Sequence, residues 1–334
     1  MNQKKSRNKT ITYFHRNPKA GFSIAKVSGT FIREIRKTMD VEEFCVPEYK
    51  AAPQHIVKNI WFVFKHRNKY GINHITGDIH YCILALIGCK SVLTIHDLCL
   101  LEHVKNPVKK KIMYWLWYKL PVLITNKVIC ISENTKKELA KITNRKDIEV
   151  IYNAVDTAFW FRQKVFNEQQ PVILQIGTGW NKNIYNVIKA IAFIPCHFRI
   201  IGDINNEISK MLEKNAISYS TISNLSDEEI VQEYKKCDVV CFCSVYEGFG
   251  MPIIEGNAVG RCVITSFIPP MTEIAADAAC FVNPHDSSSI EKGFRKIILD
   301  AGYRNQLIER GRKNSDKFQP CNAASSYIKL YRLL

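Results

Sequence analysis

The sequence of 334 residues has no apolar run as long as the roughly 18–20 residues of a membrane-spanning helix. Two segments approach that length, but YCILALIG (81–88) stops before Lys90, and Lys119 interrupts IMYWLWYKLPVLI (112–124). The first residues, MNQKKSRNKTITYF, are basic and lack the apolar centre of a signal peptide. We therefore expect a protein that is made and kept in the cytoplasm.

The sequence also lacks the cysteine spacing of a metal site. It has twelve cysteines, many of them inside apolar runs, and no Cys-x-x-Cys pair. Without a secretion signal such thiols stay reduced, so we expect core residues rather than disulfides. Cys237, Cys241 and Cys243 are close in sequence, but no adjacent histidine completes a zinc-binding set. The sequence predicts no bound metal.

Acidic residues are scarce in the first half of the chain. Residues 1–165 contain 29 Lys and Arg against 13 Asp and Glu, whereas residues 166–334 contain 18 of each. A basic half favours an anionic partner, such as a phosphorylated acceptor, an anionic membrane surface or nucleic acid. The alternative is that these lysines only cover solvated faces.

Apolar strand-like runs alternate with helical patterns along the whole chain, without a repeat or a long linker. The runs are TITYF (10–14), SVLTIH (91–96), KVICIS (127–132), VILQIG (172–177), FRIIG (198–202), DVVCFC (238–243) and CVITS (262–266). Strands that are apolar on both faces and alternate with helices indicate parallel sheets covered by helices. The length and this pattern predict an α/β protein with two doubly wound domains.

The pattern breaks around residues 150–171, and a second series of strands begins at Val172. We therefore predict an N-terminal domain over residues 1–163 and a C-terminal domain over 164–334, with the last helix able to pack back on the first domain. Ligands in such folds bind beyond the carboxyl ends of the strands, so the functional residues are expected there and in a cleft between the domains.

The stretch SVYEGFGMPIIEG (244–256) follows the apolar run DVVCFC. Gly248 and Gly250 let backbone amides approach a ligand, and Pro252 is typical of the first turn of a helix. The start of a helix attracts phosphate or hydroxyl groups. Glu247 and Glu255 would each accept a pair of hydroxyls at opposite ends of one ligand. The alternative is a surface loop followed by a capping glutamate.

These residues resemble the donor-binding signature Glu-x7-Glu of the retaining family 4 glycosyltransferases, which have the GT-B architecture of two facing Rossmann-like domains. The similarity continues through nearly the whole chain. It includes FHRNPKAGFSI, HITGDIHY, VLTIHDL, ICISENTKKEL, VIYNAVD, ILQIGTGWNKN, FRIIGD and FVNPHD.

The resemblance implies a nucleotide-sugar donor bound by the C-terminal domain. Glu247 would contact the transferred sugar, with the backbone around Phe249, Gly250 and Met251 lining its hydroxyls. Glu255 would hold the 2′- and 3′-hydroxyls of the ribose.

Lys182 matches the lysine that neutralises the diphosphate. Many relatives carry an arginine directly after the glycine of this strand, whereas here Gly177 is followed by Thr178, which could supply a hydrogen bond instead. The chain contains no Asp-x-Asp sequence. The leaving diphosphate must then be stabilised by fixed cations and helix N-termini, which favours transfer without a metal or any other cofactor.

In the N-terminal half, VLTIHDL places His96 and Asp97 at the end of an apolar strand. The resemblance puts His96 near the donor sugar and the reacting centre, where an imidazole can donate to a hydroxyl. Asp97 would position His96 or touch the acceptor. The small-residue loop Gly21-Phe22-Ser23 would approach the donor phosphate and the acceptor. Ser132 with Glu133 is interpreted as a helix cap.

The expected activity is retaining transfer of a hexose from a UDP- or GDP-sugar to a glycan or lipid-linked acceptor, as in surface polysaccharide assembly. A GT-B sugar-nucleotide epimerase is the alternative enzyme. A basic nucleic-acid-binding protein is the non-enzyme alternative, although no binding motif supports it. The segment 105–124 is either a helix with aromatics in the core or an amphipathic helix at the inner face of a membrane.

Overall fold

The computed structural model describes residues 10–21, 23–99, 104 and 106–334, and for Ser23 the backbone alone. The chain forms two compact units: unit 1 comprises Met1–Ala154 and Pro320–Leu334, and unit 2 comprises Val155–Gln319. The division falls between Ala154 and Val155, earlier than the predicted boundary after residue 163. The last helix belongs to unit 1.

Unit 1 contains a six-stranded parallel sheet with the strand order β2-β1-β3-β4-β5-β6. Its strands are β1 (Ile11–His15), β2 (Val41–Cys45), β3 (Ile72–Ile75), β4 (Lys90–Ile95), β5 (Lys127–Cys130) and β6 (Ile148–Val150). Its α-helices are α1 (Ser23–Ile35), α2 (Pro53–His66), α3 (Pro107–Met113), α4 (Leu120–Ile124), α5 (Glu133–Ala140) and, at the end of the chain, α13 (Pro320–Leu333). A 3₁₀ helix spans His80–Leu86.

Unit 2 contains a second six-stranded parallel sheet, with the order β12-β11-β10-β7-β8-β9. Its strands are β7 (Val172–Ile176), β8 (His197–Ile201), β9 (Ser218–Ile222), β10 (Val239–Phe242), β11 (Cys262–Ser266) and β12 (Cys280–Val282). Its α-helices are α6 (Ile184–Ile191), α7 (Asn206–Lys214), α8 (Asp227–Lys236), α9 (Met251–Val259), α10 (Met271–Ala275), α11 (Ser287–Leu299) and α12 (Ala301–Ser315). Two parallel sheets flanked by helices confirm the predicted α/β fold.

The seven predicted apolar runs all form strands, and the five strands without such a run are the four at the sheet edges and the interior strand β3. The edge strand β2 reads VEEFC and β9 reads SYSTI, and neither contains a fully buried residue. β6 and β12 have only three residues each. Strands covered on both faces usually consist of continuous apolar residues, whereas edge strands need not. In β3 the buried Asn73 and His74 are hydrogen-bonded instead.

The last helix, α13, fills one face of the unit 1 sheet. Tyr331 is fully buried, and its hydroxyl is hydrogen-bonded with His74 Nδ1 at 2.6 Å and with the Tyr13 hydroxyl at 2.9 Å. Tyr327 stacks on Phe31 of α1. Burial lowers the pKa of His74 to about 3. The core of unit 1 is therefore completed by residues that follow unit 2 in sequence.

In the described part of segment 105–124, the aromatic side chains are divided between the core and the surface. Between α3 and α4, residues 114–119 form a π-helical turn, which changes the helical spacing. The neighbours Trp117 and Tyr118 are both buried, with 5% and 2% of their surfaces exposed. Trp115 is 43% exposed. Among the described residues, no helix has both the length and the apolar character needed to cross a bilayer.

The predicted helix cap at Ser132 is present, and Ser226 and Asp286 cap two further helices. Ser132 accepts a hydrogen bond from the Thr135 amide, and Ser226 forms a capping box with Glu229. Asp286 accepts from the amide of Ser288 at the start of α11. Side chains of this kind satisfy amides that have no partner in the first turn, so they define where these helices begin.

Candidate active site

The unit 2 site lies where β10 ends and α9 begins. The chain leaves β10 at Phe242, and Gly250 stands immediately before the first residue of α9, Met251. Gly250 has φ +115°, a conformation that residues with a Cβ rarely adopt. Pro252 follows within the first turn, as predicted. The turn therefore ends at a helix N-terminus, where amides and the helix dipole favour anionic groups.

Glu247 is held by two side chains from the loop after β7. Its Oε1 accepts a hydrogen bond from Lys182 Nζ at 2.6 Å and from Asn181 Nδ2 at 3.1 Å. The Asn181 side chain also donates to the carbonyl of Tyr246, and the main-chain carbonyl of Asn181 accepts from the Val245 amide. Because β7 and β10 are adjacent parallel strands, their following loops meet at one edge of the sheet.

Lys182 lies against a glycine and an aromatic ring. A Cβ on Gly177, which has φ +82°, would come within 3.2 Å of Lys182 Cε. The ammonium of Lys182 is 4.9 Å from the ring centroid of Phe242. The side chain is about one fifth exposed, so the cation is fixed in place while it remains accessible from solvent.

Thr178 uses its hydroxyl within the protein. Its Oγ1 donates to the carbonyl of Asp203 at 2.6 Å. In this arrangement the hydroxyl proton is not directed at a ligand, contrary to the hydrogen bond that the sequence suggested for this position.

Glu255 lies on α9 and is bonded to a residue of α8. The hydroxyl of Tyr234 donates to Glu255 Oε2. Tyr234 is fully buried, and its ring packs edge-on against Phe159. Burial, together with the Glu255 carboxylate, raises the pKa of Tyr234 well above its usual value, so the phenol keeps its proton and remains a donor. Glu255 is thereby positioned by a rigid neighbour.

The remaining residues of the predicted donor loop form its support. Phe249 is buried, and its ring packs edge-on against Phe318. Its side chain therefore anchors the loop, and only its backbone is available to a ligand. Gly248 connects Glu247 to this anchor.

In unit 1, His96 directly follows β4. Its Nε2 donates to the carbonyl of Thr76 at 2.8 Å. The ring lies so close to Gly77, which has φ +136°, that a Cβ there would be 2.5 Å from His96 Cδ2. Burial lowers the pKa of His96, so the ring is neutral at physiological pH. A neutral ring with its proton on Nε2 presents Nδ1 as an acceptor, whereas the sequence analysis expected a donor.

Asp97 stabilises the loop that follows β4. Its Oδ1 accepts from the amide of Cys99 at 2.9 Å, and its carbonyl accepts from the Tyr118 hydroxyl. Within the described part of the chain, no hydrogen bond joins the Asp97 carboxylate to the His96 ring. The ring is instead oriented by the Thr76 carbonyl.

Gly21 ends the loop after β1, with φ +124°. Its carbonyl accepts from Arg16 Nε at 3.1 Å, and Arg16 is paired with Asp78 at 2.9 Å. Phe22 lies outside the described residues, and so does the side chain of Ser23.

The comparison with protein families assigns both halves of the chain. A family model described as glycosyl transferases group 1 matches residues 156–314, and one described as glycosyltransferase family 4 matches residues 29–159. The chain is a glycosyltransferase. Residues 244–256, with both predicted glutamates, lie within the first of these matches.

Sequence relatives of this glycosyltransferase include an O-antigen chain mannosyltransferase of Salmonella typhimurium. The two are 26% identical over 253 residues, which is 72% of this chain and 69% of the relative. An uncharacterized glycosyltransferase of Methanocaldococcus jannaschii is 26% identical over 262 residues, 76% of this chain and 72% of its own.

The similarity to two solved structures shows that the glycosyltransferase has the GT-B fold. Sucrose-phosphate synthase from Thermosynechococcus elongatus matches with a TM-score of 0.80 and 16% identity, over 97% of this chain and 98% of that chain. HepE of Anabaena, in complex with UDP and glucose, matches with a TM-score of 0.79 and 15% identity, over 98% and 100%.

Several supporting residues of the glycosyltransferase had no signal in the sequence. Tyr234, Asn181 and Thr76 each bond to a predicted site residue. Each of these residues is remote in sequence from the site residue that it contacts, so no local pattern relates the two. The one available signal was the glycine of HITGD, because Gly77 leaves the space that the His96 ring occupies.

No cluster of three or more metal-binding side chains occurs in the described ranges of the glycosyltransferase. Cys237, Cys241 and Cys243 are buried, and the last two sulfurs are 4.0 Å apart. Burial raises the pKa of Cys237 to about 12.

Proposed function

We propose that the enzyme transfers a hexose, with retention of anomeric configuration, from a UDP- or GDP-sugar to a glycan or lipid-linked acceptor. Unit 2 would bind the donor, and basic unit 1 would bind the acceptor. The observation that carries the proposal is the pair of Lys182 and Glu247 in the loops that precede α9, together with Glu255 on α9 itself.

The spacing of this group suits a nucleotide sugar. In such a donor the anomeric carbon is joined through one oxygen to a phosphate, so groups that bind sugar and phosphate must be neighbours. Glu247 Oε1 and Lys182 Nζ are 2.6 Å apart. Glu247 would accept from sugar hydroxyls while Lys182 binds the diphosphate, and Glu255, held by Tyr234, would accept from the ribose hydroxyls.

Stabilisation of the leaving group would come from fixed charges. As the bond between the anomeric carbon and the phosphate oxygen breaks, negative charge grows on the diphosphate. Lys182 and the amides at the start of α9 would stabilise this charge without having to reorient. Because the chain contains no Asp-x-Asp sequence, we propose that no metal takes part.

Retention would follow from attack on the face that the phosphate leaves. Glu247 is already bonded to Lys182 and Asn181, so it is suited to binding rather than to forming a covalent intermediate. In the proposed step the acceptor oxygen bonds to the anomeric carbon, and the departing phosphate takes the acceptor proton. His96 would accept a hydrogen bond from a donor hydroxyl through Nδ1.

The pathway is proposed from the relatives. Curated relatives are named O-antigen chain mannosyltransferases in Salmonella typhimurium and Escherichia coli, and the related WaaG fold belongs to a glycosyltransferase involved in lipopolysaccharide biosynthesis. We propose a role in surface polysaccharide assembly, in the cytoplasm or at the inner face of the membrane. Mannose from GDP-mannose is the first donor to test.

Calorimetry against a panel of UDP- and GDP-sugars tests the donor assignment. One nucleotide sugar should bind to wild-type enzyme and bind much more weakly to Glu255→Ala, because the ribose loses its carboxylate. Donor consumption should require an added acceptor. Interconversion of free nucleotide sugars without an acceptor would instead identify an epimerase, and equal affinity of Glu255→Ala and wild type would refute the site assignment.

A further inference from the structure

Helix α2 of unit 1 exposes an apolar stripe to solvent. Val57, Trp61 and Phe64 are 65%, 57% and 52% exposed. Their spacing of four and three residues places them on one face of the helix. The opposite face is buried through Asn59 and Val63. Large exposed apolar side chains in such a contiguous arrangement indicate an interaction surface.

The stripe is surrounded by cations. Lys65 Nζ lies 3.5 Å from the ring centroid of Trp61, and the Arg67 guanidinium lies 3.4 Å from that of Phe64. Residues 49–77 contain no Asp or Glu, and the nearest acid, Glu48, is bonded to Lys58. Among the described residues, no ion pair joins Lys65 or Arg67 to an acid, so the surface combines aromatic rings with positive charge.

A second stripe lies on α3 and the π-helical turn that follows it, and is called the α3 stripe. Val108, Ile112 and Trp115 are exposed with the same helical spacing, next to the exposed Lys109–Lys111. Residues 103–132 again contain no Asp or Glu.

The two helices belong to one layer. Asn59 of α2 donates to the Tyr81 hydroxyl at 2.9 Å. The ring of Tyr81 packs on Trp117, which lies in the π-helical turn after α3. Both segments contribute to the same hydrophobic cluster, whereas α1 and α13 pack on the other cluster of unit 1. The two stripes are therefore on the same side of the unit 1 sheet.

We propose that this layer, with the stripes of α2 and α3, docks unit 1 on the surface of an anionic phospholipid bilayer. Tryptophan, phenylalanine and aliphatic side chains enter the boundary between headgroups and acyl chains, and adjacent lysines bind anionic headgroups. The proposal extends the proposed function by assigning the membrane-facing surface. It depends on the side chains of unit 1 and not on the donor chemistry of unit 2.

The charge on this surface disfavours the other occupants. A symmetric contact with a second copy would place each cationic stripe against its own equivalent, without acids to pair with it. Nucleic acid would match the charge, but exposed Val57, Val108 and Ile112 cannot stack on bases. An anionic bilayer satisfies both the lysines and the aliphatic side chains.

Vesicle flotation of the full chain tests the proposal. Wild-type protein should bind vesicles of equal parts phosphatidylglycerol and phosphatidylethanolamine, and bind pure phosphatidylcholine vesicles at least about tenfold more weakly. The double variant Trp61→Gln/Phe64→Gln should lower the partition coefficient about tenfold. The variant Lys109→Gln/Lys110→Gln/Lys111→Gln should lower it about a hundredfold, since each lysine contributes about fivefold.

The matched control is Phe193→Gln/Leu299→Gln, which removes two exposed apolar side chains from unit 2 and should leave vesicle binding unchanged. Circular dichroism verifies that each variant is folded. Glu255→Ala should bind vesicles like wild type, so a failure of the donor assignment is distinguishable from a failure of this proposal. As an independent measurement, tryptophan emission should be quenched by brominated lipid, and less so in Trp61→Phe.

Three results would overturn the proposal. The first is that Trp61→Gln/Phe64→Gln binds vesicles as strongly as the wild type does. The second is salt-sensitive binding to DNA or RNA in place of vesicles. The third is concentration-dependent dimerisation that Trp61→Gln/Phe64→Gln abolishes while vesicles remain unbound.

Discussion

The two units share an architecture of six parallel strands, but they place their charges differently. Unit 1 contains 29 Lys and Arg against 12 Asp and Glu, whereas unit 2 contains 18 against 19. Beyond its strands, near-neutral unit 2 gathers the charged groups Lys182, Glu247 and Glu255. Strongly basic unit 1 has buried histidines within β3 and in the 3₁₀ helix that follows it, and burial lowers the pKa of His74 to about 3 and of His80 to about 4.

This difference separates two uses of charge. In unit 2, opposite charges are paired and partly buried, so their positions are fixed and they are suited to a ligand of defined geometry. In unit 1, the excess charge lies on exposed lysines with many conformations, so it suits a broad anionic surface. Net charge alone would therefore not have indicated unit 2 as the unit of the proposed donor site.

The largest expected effect comes from breaking the charged group of unit 2. Glu247→Ala should lower kcat by between about a hundredfold and a thousandfold, because the sugar loses its acceptor and Lys182 loses its partner. Initial rates at saturating donor measure this effect. Glu291→Ala, which removes a surface glutamate bonded to Arg295, is the control and should retain full activity. A Glu247→Ala enzyme with wild-type kcat would contradict the proposed site.

The buried histidines of unit 1 predict a loss of stability in acid. His74 and His80 have folded-state pKa values of about 3 and about 4, below the ordinary value near 6.5. Below pH 6.5 the unfolded chain therefore binds protons that the folded chain does not, so the free energy of unfolding decreases as pH falls. Between pH 7 and pH 5 the decrease should be about 2 kcal/mol for each histidine.

Hydrogen exchange followed by mass spectrometry can assign this loss to a unit. After correction for intrinsic exchange rates, amides of unit 1 should lose protection between pH 7 and pH 5, and those of unit 2 should lose less. An equal loss in both units would contradict the prediction.

Gly77→Ala should displace the His96 ring in unit 1 without changing any charge. The new Cβ would be 2.5 Å from the His96 ring, and φ is +136° at this position. We expect a loss of about 1–2 kcal/mol in the free energy of unfolding and an activity about tenfold lower. Urea unfolding and initial rates measure both.

The chain offers a matched control for this substitution in the same unit. Gly29 lies within α1, has ordinary φ, and a Cβ there would have no atom within 4 Å. Gly29→Ala should therefore stabilise the protein by roughly 0.5–1 kcal/mol and leave activity unchanged. Similar destabilisation by the two variants would refute the role given to Gly77.

The smallest effect is expected for Tyr234→Phe, which removes only the hydroxyl that positions Glu255. Donor Kd should increase roughly fivefold, with kcat unchanged, because one hydrogen bond to a carboxylate is lost. Tyr185→Phe is the control, since Tyr185 also donates to a glutamate of unit 2, Glu207 at 2.9 Å, but at an exposed position. An unchanged donor Kd in Tyr234→Phe would show that Glu255 does not need this support.

The sequence predicted the interior strands except β3, whose residues INHI include two polar side chains, and it missed the edge strands. β10, with the sequence VVCF, is buried along its whole length and is therefore a continuous apolar run. β2, with the sequence VEEFC, pairs on one side only and carries two exposed glutamates, so it resembles a loop. Apolar runs report burial on both faces, and a strand at an edge does not require it.

The prediction of the site from the sequence was also incomplete, because it contained only residues that are close to one another in sequence. Glu247 and Glu255 stand eight positions apart around a turn and a helix start, so one local pattern contains both. Tyr234 and Asn181 contact them only because α8 and the loop after β7 come together in the folded unit. The buried neighbours Trp117 and Tyr118 likewise depend on a π-helical turn that regular helical spacing does not predict.

The return of α13 to unit 1 affects the order in which the chain can fold during synthesis. Unit 2 is continuous in sequence, and its two ends meet where the Val155 amide donates to the Phe318 carbonyl at 2.8 Å. It can therefore fold as soon as residues up to 319 have left the ribosome. The first residues of unit 1 are synthesised before unit 2, but its core is completed after unit 2, because the hydrogen bonds of His74 and Tyr13 require Tyr331. During that interval, the nascent chain carries an exposed apolar sheet face that a chaperone could bind.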